Sequence, residues 1–470
     1  MTNRIYSFTA VFMLFMLFSL GETSVVCRAE AVPNSGIKIG VAQNVASGQL
    51  LGKGVKLRDA SGTTVSLPSG GAVTASGEYV RAASRQLRLP VRVIAGSNLG
   101  WDKTRYRGSL SFVQSGQNFT VVNELDLESY LRGILKIEMN PAWPKEALRA
   151  QAILARTFAV KNKGRFASKG YDLDATENSQ IYRGVNAEDT RTDAAVRDTV
   201  GQVLTYNGQV ASIFYHSDSG GSTADVSHVW GGSFPYLVAR PETTASGSPY
   251  SDWQLTLTPA QVASAMSKLN VDVGSVRGME VAQKDSYGRV VQLRVNGDRG
   301  SSEVRAHAFR MAVGSSVLRS TNFQIARSNE TAASSIVQTP PQPKKPAPAA
   351  VESATFSPNA DPLIEMTRSG VFTKEEIMDM LLNPDKRGEY LKKGMARISG
   401  SSSSAPVVVE PTPSPAEKRE QLSFGGFTLV GKGWGHGVGL SQWGAKAMAD
   451  RGASCEAILS HYFPGTKIGK

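Results

Sequence analysis

Cysteine is almost missing from this sequence: 470 residues contain two, Cys27 and Cys455, with only 5 histidines. A chain so poor in thiols cannot rest on a disulfide framework, and thiolate-rich zinc sites lack their ligands. Also missing is any basic block interleaved with aromatics, so nucleic acid is a poor fit as a partner. Lys and Arg nevertheless number 52 against 40 Asp and Glu, a formal charge of +12. Such a balance favours loose attraction to polyanions, wall polymers or lipid headgroups, and singles out no substrate. Apolar material is not scarce: hydrophobic residues make up 41%, enough for a large core, and the length allows two or three domains.

The first residues stand apart. Arg4 precedes an apolar run from Ile5 to Leu20, and small and polar residues follow, ending Ala29-Glu30-Ala31. That order predicts a signal peptide over residues 1–31, the run being short for a membrane span of about 20 residues. A retained N-terminal anchor is the alternative. Cys27 lacks the small residue that precedes a lipidated cysteine, so no lipoprotein is expected. Export to the cell envelope, periplasm or medium follows, with Cys455 left as a small buried residue near a helix start.

The remainder predicts an α+β fold. Residues 32–125 form a small N-terminal β region, with hairpins around Ala60-Ser61-Gly62 and Ser115-Gly116. From Asp126 the period becomes helical, with Leu127, Leu131, Ile134 and Leu135 on one face. Asn140-Pro141-Ala142-Trp143-Pro144 breaks that helix, and a second runs from Lys145 to about Lys163. Its inner stripe is Ala147, Leu148, Gln151, Ala152, Ala155, Phe158 and Ala159. Asn207-Gly208 marks a hairpin whose second strand is expected to run from Gln209 to Tyr215. Antiparallel sheet returns over 276–325, within a core domain of residues 126–325. Residues 326–421 hold 12 of the 22 prolines and predict an extended, disordered insertion, with one short helical segment after the capping box Thr373–Glu376. The stretch 422–470 is too short for a core of its own and should pack back on the main body.

Polar clusters interrupt these patterns. Glu138 ends an apolar helix just before Trp143 and two prolines. Taken from water there, a carboxyl keeps its proton to higher pH and can act as a general acid; a solvated helix-end carboxylate is the plainer alternative. Arg156 falls near the inward side of the second helix, paired with a carboxylate or with substrate. Tyr215-His216-Ser217-Asp218-Ser219 follows a rigid hairpin, where loops commonly carry function. Its residues lie too close in sequence to form a hydrolase triad, and His216 with His228 matches no common zinc spacing. Gly433-Trp434-Gly435-His436-Gly437-Val438-Gly439 lets a backbone approach either a ligand or another backbone. Trp434 and Trp443 offer flat faces for sugar rings, and a helix should start near Ser441.

Several of these stretches resemble the SpoIID/LytB family. They are Tyr130-Leu-Arg-Gly133, Glu138-Met139, Trp143-Pro-Lys-Glu-Ala-Leu-Arg-Ala-Gln-Ala152, Ala155-Arg-Thr-Phe-Ala159, Phe214-Tyr-His-Ser217, Gly433 to Ala445, and His461-Tyr-Phe-Pro-Gly-Thr466. The resemblance implies a lytic transglycosylase acting on peptide-stripped peptidoglycan glycan strands, in cell-wall remodelling of which sporulation is one setting. It also implies a non-enzymatic alternative: an enhancer that binds a cell-wall amidase. Glu138 matches the catalytic glutamate of the family and Arg156 an active-site arginine. The candidate substrate-binding residues are Arg156, Tyr215, His216, Ser219, Trp434, His436 and Gln442. Such chemistry needs one carboxyl, where ordinary glycosidases use two. No cofactor is expected, and no metal, since the cysteines of zinc-binding members are missing near His216. Two departures stand out: Asn140 intervenes before the proline that usually follows Glu-Met, and Asp218 stands where Ser or Thr is usual.

Overall fold

The computed structural model describes residues 36–242, 247–326 and 426–470. The expected signal peptide, the capping box at Thr373–Glu376 and all of the expected insertion but Ala326 lie outside these residues. Among the described residues the helices are α1 (Leu127–Glu138), α2 (Lys145–Lys161), α3 (Thr190–Asp198), α4 (Val226–Val229), α5 (Pro259–Lys268), α6 (Ala306–Val313), α7 (Gln442–Asp450) and α8 (Cys455–Tyr462). Several sheets accompany them, and the fold is α+β.

The N-terminal region forms an eleven-stranded sheet, counting one short strand from further along the chain. Both expected hairpins are present. Val55 pairs with Leu67 and Arg58 with Thr64, the turn being held by Asp59, whose carboxylate accepts from the Ser61 and Thr63 amides at 3.0 and 2.9 Å. Asn118 pairs with Ser115 across Gly116. Period-two alternation turns Val55 and Leu57 inward and Lys56 and Arg58 outward. The inward set packs on Phe112, Phe119 and Trp101. Leu173–Asp174 pairs parallel with Ile37–Val45 and ties this sheet to the helical body.

Asp126 caps α1, accepting the Ser129 amide at 2.9 Å. The expected face, Leu127, Leu131, Ile134 and Leu135, is buried. After Glu138 the chain turns on Asn140: its side-chain oxygen accepts from the Ala142 amide at 2.9 Å and its carbonyl from the Trp143 amide at 3.0 Å. The residue inserted before the proline therefore builds the turn itself. Helix α2 stops at Lys161, two residues short of expectation, and is buried beyond its alanine stripe: Ala150, Ile153, Leu154 and Thr157 are enclosed as well. It is the central helix of the body, in contact with α1, α3, α7 and α8. Each fully buried Leu or Ile there contributes about 1.5–3 kcal/mol.

The Asn207-Gly208 hairpin forms, with φ of 49° and 77° as a primed turn requires. Its second strand is shorter than expected, spanning Gln209–Val210. The chain then runs on irregularly to Tyr215–His216, which pairs parallel with Leu440–Ser441. This link belongs to the C-terminal stretch, which returns to the body as expected. Phe427–Gly431 lies between Trp253–Leu257 and Phe323–Ala326, antiparallel to both. Lys467–Gly469 closes on Val203–Tyr206. A meander of Val276–Lys284, Val290–Gly297 and Gly300–Arg305 packs with α5 and α6 around Met266, Leu293 and Phe309. Cys455 opens α8, wholly buried, and burial pushes its thiol up to about 12, so it is no nucleophile.

Candidate active site

The glycine run from 433 to 439 turns out to approach another backbone. Gly439 has a φ of 73°, and a Cβ there would sit 2.1 Å from the Phe214 carbonyl oxygen. At Gly435, with φ 124°, a Cβ would lie 2.6 Å from that of His216. Only glycine permits this contact, and it brings Gln442, the first residue of α7, beside Tyr215. Ser441 caps α7 by accepting the Gly444 amide at 3.2 Å.

Glu138, the last residue of α1, meets that junction. Its half-buried carboxyl accepts hydrogen bonds from the Tyr215 hydroxyl and the Gln442 side chain. Tyr215 is held in turn: its hydroxyl accepts from Gln180 Nε2 at 3.3 Å, and that same nitrogen reaches the Ala155 carbonyl of α2 at 3.3 Å. The Tyr130 hydroxyl donates to Gln180 Oε1 at 3.4 Å. Burial raises the Glu138 carboxyl to about 7, against the two donors, with the Glu177 charge adding to the rise. A position at the negative end of a helix works in the same direction. At neutral pH the group is close to half protonated.

The carboxyl opens into a cavity of about 420 Å3 lined by Phe158, Arg165, Glu177, Asn178, Gln180, Phe214, Tyr215 and His436, among others. His436 donates from Nε2 to the Tyr215 carbonyl at 3.1 Å and accepts the Val438 amide on Nδ1 at 3.0 Å. Burial lowers it to about 3, so it is a neutral wall of the cavity and has no proton to give at physiological pH.

Of the residues singled out from sequence, Glu138, Tyr215, His436 and Gln442 come together here. Arg156, His216, Ser219, Trp434 and Trp443 do not. Arg156 is wholly buried and paired with Glu128, Nη2 to Oε2 at 2.6 Å and Nε to Oε1 at 2.9 Å. Its remaining donors go to the Gln202 and Val196 carbonyls at 3.1 and 3.3 Å and to the Thr199 hydroxyl at 3.4 Å. It clamps α2 to α1 and α3, and no part of it is open to a ligand. His216 is buried under the glycine run, its Nδ1 3.2 Å from the Val438 carbonyl oxygen. Trp434 packs on Tyr250 at 4.9 Å and under Arg319 at 5.2 Å, away from the residues that line the Glu138 cavity. Trp443 stacks edge-on against Trp143 at 4.9 Å.

Ser219 belongs to a second carboxyl. Its hydroxyl donates to Glu242, and the Tyr462 and Ser441 hydroxyls stand beside the same carboxyl. Burial raises Glu242 to about 7, opposed by these donors. The cavity beside it, about 210 Å3, is lined by Pro241, Gly444, Met448, Arg451, His461 and Tyr462.

Sequence reasoning missed Arg165, Glu177, Asn178, Gln180 and Glu242. The first four sit in irregular chain after α2, where a polar run such as Thr176-Glu-Asn-Ser-Gln180 reads as a solvated loop. The expected lone carboxyl is thus accompanied by an exposed Glu177 on the same cavity.

The chain is similar to several known proteins. The family model for Stage II sporulation protein, SpoIID, matches residues 115–206, the span that holds α1, α2 and Gln180. The amidase enhancer of Bacillus subtilis is 27% identical over 399 residues, covering 83% of this chain and 48% of that protein. An uncharacterized protein of Brachyspira hyodysenteriae is 29% identical over 225 residues, 47% of this chain and 59% of its own length. Stage II sporulation protein D of Bacillus subtilis is 22% identical over 364 residues, 74% and 76% of the two chains. The chain spans about half the length of the amidase enhancer it matches. Residues 115–206 thus match a SpoIID domain, and over most of its length the chain is similar to the amidase enhancer and to Stage II sporulation protein D of Bacillus subtilis.

Proposed function

We propose that this protein is an exported lytic transglycosylase that cleaves the MurNAc–GlcNAc bonds of peptide-stripped glycan strands in wall remodelling. The observation that carries this is Glu138: a carboxyl raised to about 7, fixed by two donors, and opening into a cavity of about 420 Å3, within the roughly 300–1,000 Å3 of small-ligand sites. Protonated, Glu138 gives its proton to the glycosidic oxygen as the C1–O bond breaks. The carboxylate left behind then takes the proton of the muramoyl C6 hydroxyl, whose oxygen bonds to C1 to form the 1,6-anhydro ring. No water is consumed, and Glu138 ends the cycle protonated as it began. Burial favours the acid of the first step; the Tyr215 and Gln442 donors favour the carboxylate of the second. A group poised near 7 serves both.

The test is mass spectrometry of peptide-free strands after incubation with the protein, with Glu138→Gln as control. Anhydro ends from the wild type and none from the variant are expected. Ordinary reducing ends would show hydrolysis instead, with Glu177 the carboxylate on hand to activate water. The likeness to an amidase enhancer over 83% of this chain favours a second activity, binding and stimulation of a wall amidase. Amidase turnover measured with and without Glu138→Gln protein separates the two, because stimulation does not need the acid.

A further inference from the structure

With Arg156 buried, the cation that faces the cavity is a different one. Among the described residues that line it, Arg165 alone carries a positive charge at neutral pH. It lies in the turn after α2, its amide donating to the Asn162 carbonyl at 3.1 Å. Its side chain is exposed but not loose. Nη1 donates to the Asn178 carbonyl at 2.9 Å, and Cζ lies 5.4 Å from the centre of the Phe166 ring. Among the described residues it forms no ion pair, and Nε and Nη2 have no hydrogen-bond partner. A guanidinium anchored by one corner, with its other donors free, is preset for a carboxylate, which it can grip with two parallel hydrogen bonds.

A muramoyl sugar supplies such a group. Its lactyl ether ends in a carboxyl that is a neutral amide while the stem peptide is attached and a free carboxylate once the peptide is gone. We propose that Arg165 binds this free lactyl carboxylate and thereby sets a preference for stripped over peptide-bearing strands. The inference rests on a glycan being the ligand of the Glu138 cavity and adds the group that selects it. Glu177, on the same cavity, opposes an incoming carboxylate, but it is exposed and its charge acts through water. A charge-assisted contact at hydrogen-bond distance outweighs such screened repulsion.

The experiment uses two preparations of one glycan: strands with free lactyl carboxylates, and the same strands with those carboxylates capped as methylamides. Wild type should prefer the free strands. Arg165→Gln should raise KM on them roughly 10- to 100-fold, as expected when a charged hydrogen-bond partner is lost, bringing the free-to-capped ratio close to one. Arg165→Lys should recover part of the preference. A variant that discriminates as wild type does, or that loses both substrates equally, overturns the proposal. Binding of the two preparations to Glu138→Gln protein, with and without Arg165→Gln, reads the same preference without turnover. Should wild type cleave neither preparation, the catalytic proposal falls, while the binding arm still decides the role of Arg165.

Discussion

Among the described residues two carboxyls are raised to about 7, and they teach different things. Glu138 and Glu242 are both desolvated, and beside each stand a tyrosine hydroxyl and a polar side chain of α7 or its cap. Glu138 looks into a space of about 420 Å3, rimmed by an unpaired cation, a second carboxylate and aromatic rings. Glu242 faces one of about 210 Å3 and is taken up by Ser219, whose amide in turn donates to the Ser441 hydroxyl at 3.2 Å and so joins the loop at 219 to the cap of α7. A raised pKa marks burial. Room for a substrate beside the carboxyl marks a site. Because Ser441 precedes Gln442, Glu242 supports the helix start that supplies a donor to Glu138. It acts through structure.

The sharpest way to break this comparison is to neutralise each carboxyl. Glu138→Gln should lower kcat on stripped strands by about 1,000-fold, within the range of a lost general acid; Glu242→Gln should cost less than about tenfold. Equal losses in the two variants would erase the distinction. The next effect separates them in stability. A carboxyl raised when folded is held protonated while the unfolded chain has already ionised. Its stabilisation is therefore complete below the unfolded value of 4.5 and lost as pH rises through about 7. From the shift between those values the loss is on the order of 3 kcal/mol. Denaturant titrations at pH 4.5 and pH 8 should show this fall in wild type and a shallower one in Glu242→Gln. Glu138 contributes a similar slope to both proteins, so the difference between them belongs to Glu242. Identical slopes would mean that Glu242 is not buried as an acid.

How far the sequence revealed this contrast depends on range. Helix α1, the Asn207-Gly208 turn and the hairpin around 60–62 are local signals and are readable as such. The pairing of Tyr215–His216 with Leu440–Ser441 joins distant parts of the chain, and no local pattern announces it. The same holds for α2: its alanine stripe was visible, but the burial of Ile153 and Leu154 comes from elements that cover its other faces. Arg156 shows the limit of motif matching. A position can be matched to an active-site arginine while its side chain spends its donors on Glu128, the Thr199 hydroxyl and backbone carbonyls. Arg165 and Gln180 do their work from irregular chain with no periodicity to flag them.

Smaller effects sharpen the account of Glu138 alone. If it is the acid, the rate should fall as pH rises past about 7, where its proton is lost. The Tyr215 hydroxyl holds the group down by bonding its charged form, so Tyr215→Phe should move that falling limb to higher pH, alongside a lower maximal rate. A limb displaced to lower pH would deny the hydrogen bond.

Glu177→Gln should do the reverse, and least. Its charge raises the Glu138 carboxyl as the last and smallest of the causes, acting without a hydrogen bond from the exposed rim of the cavity. Removing it should shift the limb to lower pH by a fraction of a unit, and the shift should shrink as salt is added, because an exposed charge is screened within about 10 Å at 0.1 M. The Tyr215→Phe shift should not shrink in this way, since a hydrogen bond out of solvent is little screened. Rate profiles of both variants at low and high ionic strength therefore distinguish the contact from the field. If Glu177→Gln instead abolished turnover at every pH, the second carboxylate would be a participant in the chemistry, and the product ends would be those of hydrolysis.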